Sequence, residues 1–148
     1  VVSSTEHAER TLMIRSIVTS PVLLAMPSVD ATPEDAGVGQ DLIDTLAAHK
    51  DECVGLAANM IGVRKRVIVA SDEDTPLLMY NPKIVETAGE YRTEEGCLSL
   101  SGMRPCTRYK RIKVTYLDAS FAPRTKAFAG YTAQIIQHEI DHCNGVVI

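Results

Sequence analysis

The run QHEIDH, Gln137 to His142, constrains this chain more than any other stretch. His138 and His142 stand four positions apart, a spacing that a helix brings onto one face, one turn apart. The pattern therefore calls for a helix and offers two imidazoles to one metal ion. Glu139, next in sequence to the first histidine, is placed to act as general base on a water beside that ion. A surface helix that happens to carry histidines is the plain alternative. Yet the chain has only four histidines, and two fall in this one motif. Two ligands do not complete a catalytic site. Of the residues that follow, Cys143 would point about 100° round the helix from His142, so the third ligand is expected upstream. Cys97, in EEGCLSL, is the foremost candidate. Alone it would read as core filler, since free cysteine is commonly buried. Beside a helix that lacks a third ligand, it reads as a thiolate donor.

The rest of the chain predicts an α+β fold. In ATPEDAGVGQDLIDTLAAHKDE, Thr32 is placed to cap a helix, with Pro33 at its first position and Glu34 and Asp35 in its first turn. Gly37 and Gly39 weaken its start, which leaves Gln40 to Lys50 as the firm part. Short strands are expected at 66–70, 76–80 and 83–88, divided by the turn signals SDEDTP and NP. The alternation of Ile112, Val114 and Tyr116 against Lys113 and Thr115 predicts a half-buried strand over 111–118, with a hairpin partner at 125–130. The closing helix is expected over Tyr131 to Asn144, with Gly145 as the residue just past its end. A helix, several strands and a closing helix argue for α+β.

Composition narrows the function. A formal charge of −4 without a Lys/Arg cluster gives no nucleic-acid footprint; Arg108, Lys110, Arg111 and Lys113 alternate with Tyr109 and Ile112 as a solvated strand face would. No run approaches the roughly 18 apolar residues of a membrane span. MIRSIVTSPVLLAMPS has the basic start of a secretory signal, but Thr19, Ser20 and Pro21 break its apolar part. Four cysteines without a short-spaced pair read as reduced thiols in a cytoplasmic setting. Residues 1–12 read as an N-terminal extension or an appended remnant, with Met13 as an alternative start, and 13–148 as a single catalytic domain.

Three motifs together, GLAAN (Gly55 to Asn59), EGCLS (Glu95 to Ser99) and QHEIDH, resemble the signatures of the peptide deformylase family, in that family's order and with similar spacing. The resemblance implies antiparallel strands around a C-terminal metal-binding HExxH helix, and removal of the formyl group from N-formyl-methionyl peptides and nascent chains, with transient proximity to the ribosome and a monomeric or homodimeric state. It implies Cys97, His138 and His142 as ligands of one divalent metal ion, Fe²⁺ physiologically, with Zn²⁺, Ni²⁺ or Co²⁺ able to take its place. Glu139 would be the general acid/base, and the backbone N–H of Leu98 would hold the oxyanion. Val54, Gly55 and Leu56 resemble the strand that pairs with the substrate backbone. Gly96 and Arg104 join the substrate-binding set, and Val54 and Ile135 would wall the methionine pocket. Asp141 with Arg108 is a candidate ion pair behind the metal helix, with a surface carboxylate as the simpler account of Asp141.

One departure bears on rate. The family's first motif reads G-x-G-L-A-A-x-Q; here Cys53 replaces the first glycine and Met60 stands in place of the glutamine. A thioether cannot donate a hydrogen bond, so weak or altered turnover is expected. Asn59 is adjacent, but successive residues in an extended segment face opposite sides, so it would need a local twist to stand in. Three rivals stay open: a deformylase-like protein that binds metal without turnover, a metallopeptidase acting on another small peptide amide, and a structural zinc site built from Cys97, Cys106, His138 and His142.

Overall fold

Alternation of apolar residues through the middle of the chain builds one antiparallel sheet. The computed structural model describes residues 14–147, so the expected extension at 1–12 lies outside the described residues. A short helix, α1 (Pro21–Leu24), is followed by a 3-10 turn (Pro33–Asp35) and helix α2 (Ala36–Ala48). Then come β1 (Gly55–Ala57), a second 3-10 turn (Ala58–Ile61), β2 (Val67–Asp72), β3 (Thr75–Gly96), β4 (Met103–Leu117), β5 (Pro123–Ala129) and helix α3 (Gly130–Cys143). The five strands lie in sequence order, each antiparallel to the next, which leaves β1 at one edge. Helix α3 packs on β1, β2, β4 and β5, and α2 on β1, β2 and β3. The core gathers Leu42, Leu56, Val67, Ile68, Val69, Met79, Val114 and Ile136, all fully or almost fully buried.

Several expectations are corrected. The strands predicted at 76–80 and 83–88 are parts of one long strand, β3. The Asn81-Pro82 signal makes a bulge instead of a break, with register shifts between Tyr80 and Lys83 and between Ile84 and Glu86. Asn81 adopts φ 52°, a conformation asparagine tolerates better than most residues. Its side chain accepts from the Ala31 N–H at 2.7 Å and donates to the Ala31 carbonyl at 3.0 Å. Strand β4 begins at Met103, well before the expected position 111. Its added part pairs with the polar end of β3, where exposed residues on both strands blunt the apolar alternation that betrays a strand.

Helix α2 starts at Ala36, earlier than its firm part suggested, because Gly39 is needed where it stands. A Cβ on Gly39 would collide with the Tyr80 hydroxyl, which donates to the Ala36 carbonyl at 3.2 Å. The helix ends at Ala48 rather than Lys50. Helix α3 spans one residue earlier at each end than expected, and Gly145 follows its cap with φ 75°. Met60 is not in an extended segment. It sits with Asn59 in the 3-10 turn after β1, so strand alternation does not decide how the two are turned relative to one another.

Candidate active site

Helix α3 sets the site by its periodicity. Tyr131, Gln134, Ile135, His138 and Glu139 recur at three- and four-residue spacing and share one face, which lines a cavity of about 450 Å³. Opposite them, Cys97 and Leu98 come from the loop 97–102 between β3 and β4, Val54 from just before β1 and Gly55 from its first position. Met60 closes one wall, and Gly96 and Met103 another.

At the inner end, one ligand atom from each of Cys97, His138 and His142 converges, all within 4.8 Å of one another. The two Nε2 atoms are 3.2 Å apart, and Cys97 Sγ lies 3.3 Å from His142 Nε2. Ligand bonds of about 2.0–2.3 Å in a tetrahedral site would put donor atoms about 3.3–3.6 Å apart. The trio has the spacing and the chemistry of a Cys/His₂ metal corner. Cys106, from the rival zinc set, does not belong to it.

Orientation comes from Glu95, which the sequence reading quoted only as part of a motif. His138 Nδ1 donates to Glu95 Oε1 at 2.8 Å, and because an ionised carboxylate only accepts, the proton lies on Nδ1 and Nε2 is free to ligate. Arg108 grips the same carboxylate through Nη2 at 2.7 Å and Nε at 3.0 Å. It also donates from Nη1 to Asp141 Oδ2 at 2.7 Å, so the candidate pair between α3 and β4 exists. Gln134 Nε2 donates to Glu95 Oε2 at 2.8 Å. Burial pushes Glu95 upward, but the bonds from His138, Arg108 and Gln134 outweigh it and hold the carboxyl well below the usual carboxylate range. Burial likewise pulls down on His138, yet Cys97 and Glu95 lift it to about 10, while burial and the charge of His138 lower His142 to about 3. An imidazole ligates in its neutral form, so a cation arriving here displaces the proton on His138.

Two further amides hold the frame. Gln137 Nε2 donates to the Tyr109 carbonyl at 2.9 Å and its Oε1 accepts from the Tyr109 N–H at 2.9 Å, locking α3 to β4. Asn59 Nδ2 donates to the His142 carbonyl at 2.9 Å. That use of its donor keeps Asn59 from standing in for the missing glutamine.

Arg108→Met should therefore be costly. It leaves Glu95 charged, buried and short of its main partner, a loss of about 3–5 kcal/mol, read from urea denaturation at neutral pH. The sign with pH follows from the lowered carboxyl. The stabilisation is present above the unfolded value and is lost as pH falls through the folded one. Without Arg108 the folded value rises, so the variant should unfold in acid at higher pH than the parent.

Glu139 is 4% exposed, and its Oε1 has no partner. Burial, partly countered by His138, raises it to about 7. Gly55 makes room for it: a Cβ there would lie 2.8 Å from Glu139 Oε2 and 2.7 Å from Ile135 Cγ2. The space that a side chain at 55 would fill is thus taken by the Glu139 carboxylate and the Ile135 side chain. Gly55→Ala should displace the Glu139 carboxylate and lower kcat by about 10²-fold, the effect of an ångström-scale misplacement, with KM nearly unchanged in steady-state assays.

Of the residues singled out in sequence, Met60, Val54, Gly55, Gly96, Leu98, Ile135 and Glu139 line the cavity, and Cys97 and His138 do so at its metal corner. His142 completes that corner from a fully buried position. Leu56 and Arg104 do not line it: Leu56 is fully buried in the core, and Arg104 pairs in register with Glu95 across the hairpin. Met103, Tyr131 and Gln134 line it and were missed, although counting back three, four and seven from His138 would have found the last two.

Comparison with known proteins gives a consistent picture. The Polypeptide deformylase family profile matches residues 17–148. A peptide deformylase from Clostridium beijerinckii is 50% identical over 136 residues, covering 92% of this chain and all of that protein. The crystal structure of peptide deformylase from Thermotoga maritima superposes with a TM-score of 0.81 at 32% identity, covering 91% of this chain and 94% of the other. The Ehrlichia chaffeensis peptide deformylase, in complex with actinonin, gives 0.81 at 33% identity over 91% and 86%.

Proposed function

The chain belongs to the peptide deformylase family, and from that premise we infer how its residues divide the work. It is a metal-dependent hydrolase that removes the formyl group from the N-terminal formyl-methionine of nascent polypeptides. Residues 13–148 form the catalytic domain. Cys97, His138 and His142 hold one divalent ion, which we assign as Fe²⁺, and the setting is the cytoplasm. The single observation that carries the assignment is the convergence of a thiol and two Nε2 atoms beside a buried, unpartnered carboxylate oxygen. Bound there, the metal supplies Lewis acidity toward water and the formyl carbonyl.

The chain's own groups do the rest. Glu139 Oε1 takes the proton of the attacking water, and the same carboxyl returns it to the departing amine nitrogen. A carboxyl raised to about 7 can do both near neutral pH. To the Leu98 N–H, next to Cys97 in the cavity lining, we assign the oxygen that gains charge at the formyl carbon. At the sheet edge, Gly55, the first residue of β1, offers its backbone to an extended peptide, while the Val54 carbonyl accepts from the Ser71 N–H at 2.8 Å; Val54 and Ile135 flank the peptide's first side chain. Glu95, held by Arg108, fixes the ring of His138.

The test joins two measurements on anaerobically purified protein: metal content, and formate released from formyl-Met-Ala peptides. Cys97→Ala should fail to retain stoichiometric metal, while Glu139→Gln retains it without releasing formate. Full metal retention by Cys97→Ala would remove the thiol from the ligand set.

A further inference from the structure

The cavity wall carries a polar group that neither the metal corner nor the proton path uses up. Gln134 lies one turn before His138 on α3 and lines the cavity beside Tyr131 and Ile135. Its Nε2 donates to Glu95 Oε2 at 2.8 Å. Glu95 can only accept, so the amide cannot be flipped: nitrogen faces Glu95 and the carbonyl is turned away from it. Among the described residues this is the only hydrogen bond the side chain makes, and Oε1 is not one of the buried unpartnered atoms. Its Oε1 and second amide hydrogen are thus available to whatever fills the cavity. Val54, Leu98 and Ile135 give the cavity hydrocarbon and Met60 and Met103 thioether, while Lys50, Asp51, Glu52 and Glu94 add charged groups to its lining.

A hydrocarbon side chain entering here would strip water from the amide and return nothing to it. A side chain with a hydrogen-bonding atom would restore the lost bond, and sites with fixed polar groups discriminate against analogues that lack the matching atom. We propose that Gln134 is a specificity-determining residue: it selects formylated peptides whose first side chain carries a hydrogen-bond acceptor over hydrocarbon of the same shape. Methionine sulfur is a weak acceptor, and a sulfoxide oxygen is a stronger one. The proposal rests on the reading that this cavity receives a formyl-methionyl peptide.

The experiment compares kcat/KM of metal-loaded protein on formyl-Met-Ala-Ser, formyl-norleucine-Ala-Ser and formyl-methionine sulfoxide-Ala-Ser, for wild type, Gln134→Leu and Gln134→Met. Wild type should favour methionine over norleucine by about threefold and the sulfoxide over norleucine by about tenfold, the range of one net hydrogen bond. In both variants these ratios should fall to unity or reverse, with norleucine the main gainer. A purely structural role would lower kcat on all three peptides alike and leave the ratios fixed. Ratios equal in wild type and both variants would overturn the proposal while leaving deformylation intact. No formate from any peptide with wild type would overturn deformylation and this proposal together.

Discussion

Glu139→Gln should fold, bind metal and lose about 10²–10⁴ in kcat, the usual range for a positioned general acid/base. The substitution keeps the shape and removes only the capacity to take and return a proton. Fold and activity should separate cleanly here, because the carboxylate is a burden to the folded state. Its folded value, about 7, lies above the ordinary 4.5, chiefly through burial. Ionising it therefore costs stability as pH rises from the lower value through the higher. Above that window the variant should be at least as stable as its parent by thermal denaturation. Single-turnover formate release, metal stoichiometry and Tm on one preparation decide the matter. Residual activity within tenfold of wild type would dismiss Glu139 as the proton carrier.

Met60→Gln should act in the other direction, raising kcat by up to about 10²–10³, the worth of one donor to a developing oxyanion. Met60 lines the cavity but is 1% exposed, and its sulfur accepts weakly from the Ala57 N–H at 3.5 Å. A glutamine in the same 3-10 turn can place Oε1 on that N–H and turn its amide hydrogens toward the cavity. Both ends of the new amide would then have work, which limits the cost of burying it. The increase should fall on kcat, with KM little altered. An unchanged or lower kcat/KM in the substituted protein would mean that Leu98 N–H and the metal already suffice for the oxyanion.

The legible parts of this protein were those in which chemistry and periodicity coincide. HEIDH announced its helix, two imidazoles turned to one point and a buried carboxylate beside them, because a four-residue spacing of histidines has few other uses. Cys97 was found by need, as the partner a two-ligand helix lacked. Glu95 was less legible. It stands two residues before the cysteine, and nothing local says that a glutamate there will meet Arg108 from across a hairpin. Long-range pairing also hid the length of β3 and β4, whose polar ends lack alternation. Met60 was misplaced for a related reason: a stretch of small residues, Ala57 to Asn59, does not distinguish a strand from a 3-10 turn.

The hairpin that carries Glu95 and Arg108 also governs which changes of length the protein can survive. From Glu90 opposite Tyr109 to Gly96 opposite Met103, β3 and β4 pair without a shift, and successive side chains alternate between faces. A single-residue insertion between Glu90 and Glu95 would rotate Glu95 to the opposite face and leave Arg108 and His138 without it. The same strand already absorbs irregularity at Asn81 and again between Ile84 and Glu86, well before Glu95, Cys97 and Arg108. Insertions and deletions among descendants of this sequence should therefore collect at those bulges and spare the stretch beyond Glu90.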